Sequence, residues 1–137
     1  MKNLEDAILE YSSDIAIVKR RSFQSGLKEI EDSHFDLILL DMSLPPYDIT
    51  GEVEEEVVVK SGLNILIEME RQQINIDVVV ITQFPSFGTG RDILTLDNIK
   101  EQMKQYKNYR KTIFYVQKET KWRIELINHI KLLKHHG

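Results

Sequence analysis

The run Leu37-Ile38-Leu39-Leu40 constrains the fold more than any other stretch, because four apolar residues lead directly to the carboxylate of Asp41. The pair Leu44-Pro45 ends the segment. A short apolar run bounded by a breaker is typical of a strand buried on both faces in a parallel sheet. Asp41 would then stand at the carboxyl end of a strand, where open α/β sheets bind ligands. The alternative, that Asp41 only caps the following loop, stays open at this point.

The other apolar runs alternate with segments of helical spacing. We expect further strands at Ile15–Val18, Asp77–Thr82 and Thr112–Val116. Strands that alternate with helices form parallel βαβ units with right-handed crossovers. The predicted fold class is therefore α/β, a three-layer open parallel sheet covered by helices on both sides. The helices are expected at residues 3–11, 22–32, from 61 to about 69, from 94 to about 106, and from 120 to 133.

Size and charge narrow the functional classes. The 137 residues predict one domain spanning 1–137. The net charge of −4 argues against nucleic-acid binding, which usually needs a basic surface. The absence of cysteine excludes disulfides and thiolate chemistry. No apolar run is long enough to cross a membrane and the first residues lack a secretion signal, so we expect a cytoplasmic protein.

An acidic insertion is expected at about 46–60. Pro45-Pro46 begins it, and Glu52 together with Glu54-Glu55-Glu56 makes it acidic. Connections in α/β units usually span two to six residues, so this loop is long for its place. Val57-Val58-Val59 is expected to form a small strand inside it, and Ser61 to cap the helix that follows. A solvated acidic surface is a better interpretation of this tract than a metal site.

Polar residues follow three of the predicted strands. Asp41 and Thr82 end two of them, and Gln117 or Lys118 follows the third. The carboxyl ends of parallel strands share one edge of a sheet, so these side chains are expected to converge there. A carboxylate attacks phosphorus as a nucleophile, while a hydroxyl and an ammonium group neutralise the phosphoryl oxygens. The alternatives are a loop cap for Thr82 and surface charge for Lys118.

Several segments resemble the receiver domains of bacterial response regulators. Residues Leu39–Pro45 look like the family's phosphoacceptor segment, and Ser61-Gly62-Leu63 like the start of its third helix. Val80-Ile81-Thr82 matches its fourth strand, and Tyr115 stands three residues before Lys118 as the switch aromatic does before the family's lysine. The resemblance extends from Ile15 to Leu133 and implies a receiver-like, flavodoxin-like topology.

The resemblance also implies roles for single residues. Asp41 would be the phosphoacceptor and Lys118 would bind the phosphoryl group. Thr82 and Tyr115 would reorient as the switch. Mg2+ would be the cofactor, held by Asp41 and the backbone carbonyl of Ser43. A histidine kinase or phosphotransfer protein would be the phosphoryl donor.

The chain departs from the family in three places. Receivers begin with a strand that ends in two acidic metal ligands, and this chain is expected to begin after it. Glu5 and Asp6 form the one acidic pair ahead of the predicted strand at Ile15–Val18 and are the weak candidates for that role. Glu119 replaces the proline that follows the family's lysine. The acidic insertion is the third departure.

Two functions are compatible with these features. The favoured one is a stand-alone receiver in a two-component phosphorelay that signals through contacts with a downstream partner protein. The alternative is a degenerate pseudo-receiver, a protein-interaction module that works without phosphorylation. Neither is a dedicated enzyme. A homodimer is also among the expected partners, because a neighbouring subunit would supply the strand that this chain is expected to lack.

Overall fold

The computed structural model describes residues 2–20, 22–41, 55–82, 86–87, 94–95, 101–116 and 118–136. They divide into two compact units: Arg20–Phe114 forms one, and Met1–Lys19 with Tyr115–Gly137 forms the other. The helices are α1 Lys2–Tyr11, α2 Phe23–Asp32, α3 Glu55–Arg71 and α4 Lys121–His136. The strands are β1 Leu37–Asp41, β2 Asp77–Thr82, β3 Ser86–Phe87, β4 Leu94–Thr95 and β5 Tyr109–Phe114.

A parallel sheet lies at the centre of the Arg20–Phe114 unit. Its strand order is β1-β2-β5, and both strand pairs are parallel. The predicted α/β class with a parallel sheet is therefore confirmed. The register between β2 and β5 shifts between Val78 and Val79, where a bulge leaves Arg110 with no residue opposite it on β2.

The core of this unit forms where α2 and α3 pack on one face of the sheet. Residues Val78 to Ile81 of β2 are at most 1% exposed, as expected for a strand with neighbours on both sides. Each buried aliphatic side chain of this kind contributes about 1.5–3 kcal/mol to folding. One buried cluster joins the elements: Phe23, Ile30, Leu40, Ile65, Leu66, Met69, Ile76, Val78, Val80 and Met103.

Helix α2 starts where its sequence predicts. Ser22 is the N-cap and its hydroxyl accepts a hydrogen bond from the Ser25 backbone N–H, while the Ser25 hydroxyl is within hydrogen-bonding distance of the Ser22 N–H. This reciprocal pair satisfies two N–H groups that the helix leaves unpaired. Phe23 and Ile30, seven residues apart, lie on the same buried side.

Helices α1 and α4 pack together in the other unit. Leu4, Ala7 and Ile8 of α1 are buried. Helix α4 buries Trp122, Leu126 and Ile130 at four-residue spacing. Outside this apolar contact, Arg123 forms an ion pair with Glu10, and the Lys131 ammonium lies 5.8 Å from the centre of the Tyr11 ring.

The predicted strand at Ile15–Val18 does not form. Burial alternates along these residues, with Ile15 and Ile17 half-buried and Ala16 and Val18 exposed. No described strand pairs with them, and a strand needs a partner's backbone groups to complete its hydrogen bonds. The apolar run alone was therefore insufficient evidence for a strand.

The small strand predicted at Val57-Val58-Val59 does not form either. Helix α3 begins at Glu55, so Val57-Val58-Val59 is helical and not a small strand. Ser61 lies inside the helix and is not its N-cap. Acidic residues are favoured in the first helical turn, where they face the positive end of the helix dipole. Glu55 and Glu56 thus favour a helix start that the β-branched valines concealed.

The third long strand lies earlier than predicted. β5 runs Tyr109–Phe114 and not Thr112–Val116, because its pairing follows β2 from Val78 to Thr82. The polar residues at the start of β5 hid this part of the strand from an apolar pattern. The two-stranded antiparallel pair β3–β4 was not predicted either, and it contains Leu94 and Thr95, which were expected to begin a helix. Residues 101–103 are helical, and Met103 is fully buried as expected.

No helix in the described ranges combines the length and the apolarity that crossing a membrane requires.

Candidate functional site

Asp41 is the last residue of β1 and is half-buried. Its backbone is in register with Ile81 of the neighbouring parallel strand. Parallel pairing sets the direction of both strands, so Asp41 lies at the carboxyl edge of the sheet, as predicted. Two features of the sequence place it there: the apolar residues before it, which bury the strand, and its position at the end of that run.

Thr82 ends the adjacent strand β2 and is only 1% exposed. Asp41 is paired with Ile81, so Thr82 lies one residue further along the edge. Neighbouring strands are spaced about 4.8 Å apart and rise about 3.3 Å per residue, which puts the two Cα atoms about 6 Å apart. Side chains alternate between faces, so Asp41 shares a face with Ile81 and Thr82 shares one with Val80. A ligand that contacts both the Asp41 and the Thr82 side chains must therefore lie beyond the ends of β1 and β2.

Tyr115 comes directly after β5 and is buried at 7% exposure. Its ring packs against Trp122 at the start of α4, with centroids 4.8 Å apart and planes inclined by 58°. Lys118 is exposed and lies in the turn between Tyr115 and α4. Both residues belong to the unit that contains α1 and α4. Ser43 and Gln117 lie outside the described residues.

The candidate metal ligands Glu5 and Asp6 both lie on helix α1. Glu5 forms an ion pair with Lys19 at 2.9 Å, and Asp6 is exposed. The described strands of the parallel sheet end at Asp41, Thr82 and Phe114. Of these three residues, Asp41 carries the carboxylate. Among the described residues no three His, Asp or Glu side chains cluster as a metal site would require. These residues therefore do not assemble a Mg2+ site by themselves, since Mg2+ takes six oxygen ligands from carboxylates, phosphate and water.

Trp122 is the residue at this end of the chain that the sequence interpretation treated only as core. Its indole Nε1 is buried and has no hydrogen-bond partner among the described residues. Trp122 is the single tryptophan of the chain and packs on the predicted switch residue Tyr115. No local pattern in the sequence indicates this contact, because the turn between Tyr115 and α4 determines it.

A shallow cavity of about 430 Å3 lies at the opposite end of the sheet. Residues 30–34, at the end of α2 and directly after it, and residues 74–76, before β2, line it. These residues precede β1 and β2, whereas Asp41 and Thr82 end them. The cavity is therefore separate from the carboxyl edge and does not enter the site.

No protein-family model matches the chain. The Detocs response regulatory protein DtcB of Enterobacter cloacae is 30% identical over 125 residues, which cover 87% of this chain and 81% of DtcB. The chain belongs to the response regulator family of DtcB. An uncharacterized protein of Sinorhizobium fredii, y4jR, is 26% identical over 108 residues, covering 76% of this chain and 72% of y4jR.

Membership of the response regulator family confirms the coarse prediction of a receiver-like signalling domain. The parallel sheet, with a carboxylate at the end of β1 and a buried hydroxyl at the end of β2, is consistent with it. The absence of a first strand remains a prediction from the resemblance.

Proposed function

We propose that this response regulator accepts a phosphoryl group on Asp41 within a two-component phosphorelay and signals through contacts with a partner protein. The observation that carries the proposal is the position of Asp41, a half-buried carboxylate at the carboxyl edge of a parallel sheet beside Thr82. The printed name of DtcB, a response regulatory protein, supports the same class of role. The phosphoryl donor is proposed to be a histidine kinase or a phosphotransfer protein.

The chemistry follows from the residues at the edge. A carboxylate oxygen of Asp41 attacks the phosphorus atom and forms an acyl phosphate. The P–N bond to the donor's histidine breaks, its electron pair stays on the nitrogen, and that nitrogen takes a proton from water. The Thr82 hydroxyl donates a hydrogen bond to a phosphoryl oxygen beyond the strand ends. Lys118, in this proposal, balances part of the negative charge.

Mg2+ is the proposed cofactor, with Asp41 as one ligand and the Ser43 carbonyl as a second. When bound, it would neutralise charge on the phosphoryl oxygens. Glu5 and Asp6 are weaker candidates, because both lie on helix α1 and Glu5 already forms an ion pair with Lys19.

Phosphorylation with acetyl phosphate and Mg2+ tests the proposal by intact-mass measurement. Wild-type protein is expected to gain the mass of one phosphoryl group, and Asp41→Asn to gain none. Asp36→Asn is the matched control, because Asp36 precedes β1 with a side chain that is 97% exposed, and it should react as wild type does. The same reaction with EDTA in place of Mg2+ tests the metal. An unmodified wild type at saturating acetyl phosphate would contradict the proposal.

The pseudo-receiver is the second candidate, and one observation favours it: the described residues supply a single carboxylate at the sheet edge. Tryptophan fluorescence with beryllofluoride, a phosphoryl mimic, separates the two candidates. In an active receiver, movement of Tyr115 changes the environment of Trp122, so the emission is expected to shift, and Asp41→Asn to abolish the shift. Unchanged emission, together with unmodified mass, would favour the pseudo-receiver.

A further inference from the structure

The two outer strands of the sheet differ in how well they suit an exposed edge. β5 carries Arg110 and Lys111, and charged side chains are what natural edge strands use to resist pairing with other chains. β1 carries four uncharged aliphatic residues before Asp41, with no proline or glycine among them. Leu37, Ile38 and Leu39 are nevertheless only half-buried. β1 thus has the sequence of an interior strand and the position of an outer one.

Backbone direction shows which groups of β1 face outward. The Val78 N–H donates to the Asn108 carbonyl at 2.8 Å, so Val78 faces β5 and the next residue, Val79, faces β1. Val79 is in register with Leu39. In a parallel pair the residues flanking Leu39 then bond to β2, and the N–H and C=O of Leu39 and Leu37 point away from it. No strand in the described part of the chain pairs with that outer side.

We propose that β1 pairs antiparallel with β1 of a second copy of this chain, with Leu39 opposite Leu39 across a two-fold axis. Ile38 of one copy then lies opposite Leu40 of the other, so the facing residues are apolar. Pairing through β5 would bring the cations Arg110 and Lys111 of the two copies near each other, which is unfavourable. A two-fold contact uses the same edge on both copies and closes the assembly at a dimer. The interface does not depend on phosphoryl transfer.

The expected dimer is weak. A contact between two five-residue strands is smaller than a standard interface, which buries about 1,600 Å2. We therefore expect dissociation constants between about 1 μM and 1 mM. Sedimentation velocity across that concentration range measures the equilibrium directly.

A single engineered cysteine tests the register, because the chain contains no cysteine of its own. Hydrogen-bonded residues in an antiparallel pair have Cα atoms about 5.5 Å apart, within the roughly 4.4–6.8 Å range of disulfides. Leu39→Cys is therefore expected to form a covalent dimer under mild oxidation. Phe114→Cys is the matched control: Phe114 is 42% exposed on the other outer strand and should stay monomeric.

Charge substitutions test the interface without a covalent bond. Leu39→Lys is expected to remain monomeric at concentrations where wild type dimerises, whereas Phe114→Lys should dimerise as wild type does. Circular dichroism checks folding, and Leu37→Lys, at the start of β1, replaces Leu39→Lys if that variant unfolds.

Three results would overturn the proposal. The first is a wild type that stays monomeric up to about 1 mM, the upper end of the range expected for so small an interface. The second is equal cross-linking of Leu39→Cys and Phe114→Cys. The third concerns a mixture of Leu39→Cys and Ile17→Cys proteins. If these two variants cross-link to each other while Leu39→Cys alone does not, the outer side of β1 pairs with the Ile15–Val18 segment of the second copy. Phosphorylation of a monomeric wild type would leave the proposed function intact.

Discussion

The outer strands β1 and β5 pair with the same central strand, yet they are stabilised in different ways. β1 depends on aliphatic side chains: Leu40 lies in the buried cluster, and Ile38 packs against it. β5 begins with a polar network, in which Asn108 bonds to two backbone carbonyls, Tyr109 to Thr112, and Arg110 to Asp77. An apolar pattern in the sequence therefore finds β1 and misses the start of β5.

The largest expected effect separates the two faces of β1. Leu40→Ala should lower the free energy of unfolding by about 2–5 kcal/mol, because Leu40 is 4% exposed and its removal leaves a cavity. Leu39→Ala should cost about 1 kcal/mol in dilute protein, because that side chain is half-buried. Urea unfolding at low protein concentration measures both. Equal losses would mean that β1 is buried equally on its two faces.

The next prediction concerns the polar network at β5. The Asn108 side-chain amide donates to the carbonyls of Ile74 and Ile76 at 2.6 and 3.0 Å. Asn108→Ala leaves these acceptors without that donor and should cost about 1–3 kcal/mol in urea unfolding. Asn75→Ala is the control, because Asn75 is exposed between the two carbonyls, and it should change stability by less than about 0.5 kcal/mol. If Asn108→Ala loses no more free energy of unfolding than Asn75→Ala, then β5 is stabilised by its backbone hydrogen bonds to β2 alone.

The smallest effect is a pH dependence. Burial raises the pKa of the Tyr109 phenol above its usual value of 10.0, against the opposing effects of the Thr112 hydrogen bond and the Lys104 charge. The folded state therefore holds this proton to higher pH than the unfolded state, and stability is lost as the pH rises above about 10. Tyr109→Phe should lower the free energy of unfolding by about 0.5–1.5 kcal/mol at neutral pH, because the hydrogen bond to Thr112 is lost. Its free energy of unfolding should also fall less steeply with pH above about 10 than that of the wild type. Identical alkaline slopes in urea unfolding would contradict this assignment.

Much of the sheet was predictable because its pattern is local. The bounds of β2 match the predicted Asp77–Thr82 segment, and Asp41 ends β1 as expected. Both segments end in a polar residue after an unbroken apolar run, which is a strong signal. The edge position of Asp41 and Thr82 follows once the strands are parallel.

The remaining features depend on partners distant in sequence. Ile15–Val18 has the composition of a strand but no described strand beside it. β5 starts at Tyr109 because β2 supplies its ladder and Asn108 reaches back to Ile74 and Ile76. The contact of Tyr115 with Trp122 depends on where the turn before α4 directs the chain. None of these contacts is visible in a short window of sequence.

The roles of all the site residues stay predictions: Asp41, Thr82, Tyr115, Lys118, Ser43, Glu5 and Asp6. Phosphorylation assays of Lys118→Ala, compared with Lys121→Ala three residues later on α4, would show whether the first cation acts on the phosphoryl group. Both lysines are exposed, so loss of charge alone should affect them equally.

Locating the phosphoryl group on the chain tests the central claim most directly. An acyl phosphate on aspartate is reduced by borohydride to homoserine, which tandem mass spectrometry assigns to a single position. After reaction of the wild type with acetyl phosphate and Mg2+, the account predicts homoserine at position 41. Homoserine at another position, such as 36, or at none, would contradict it.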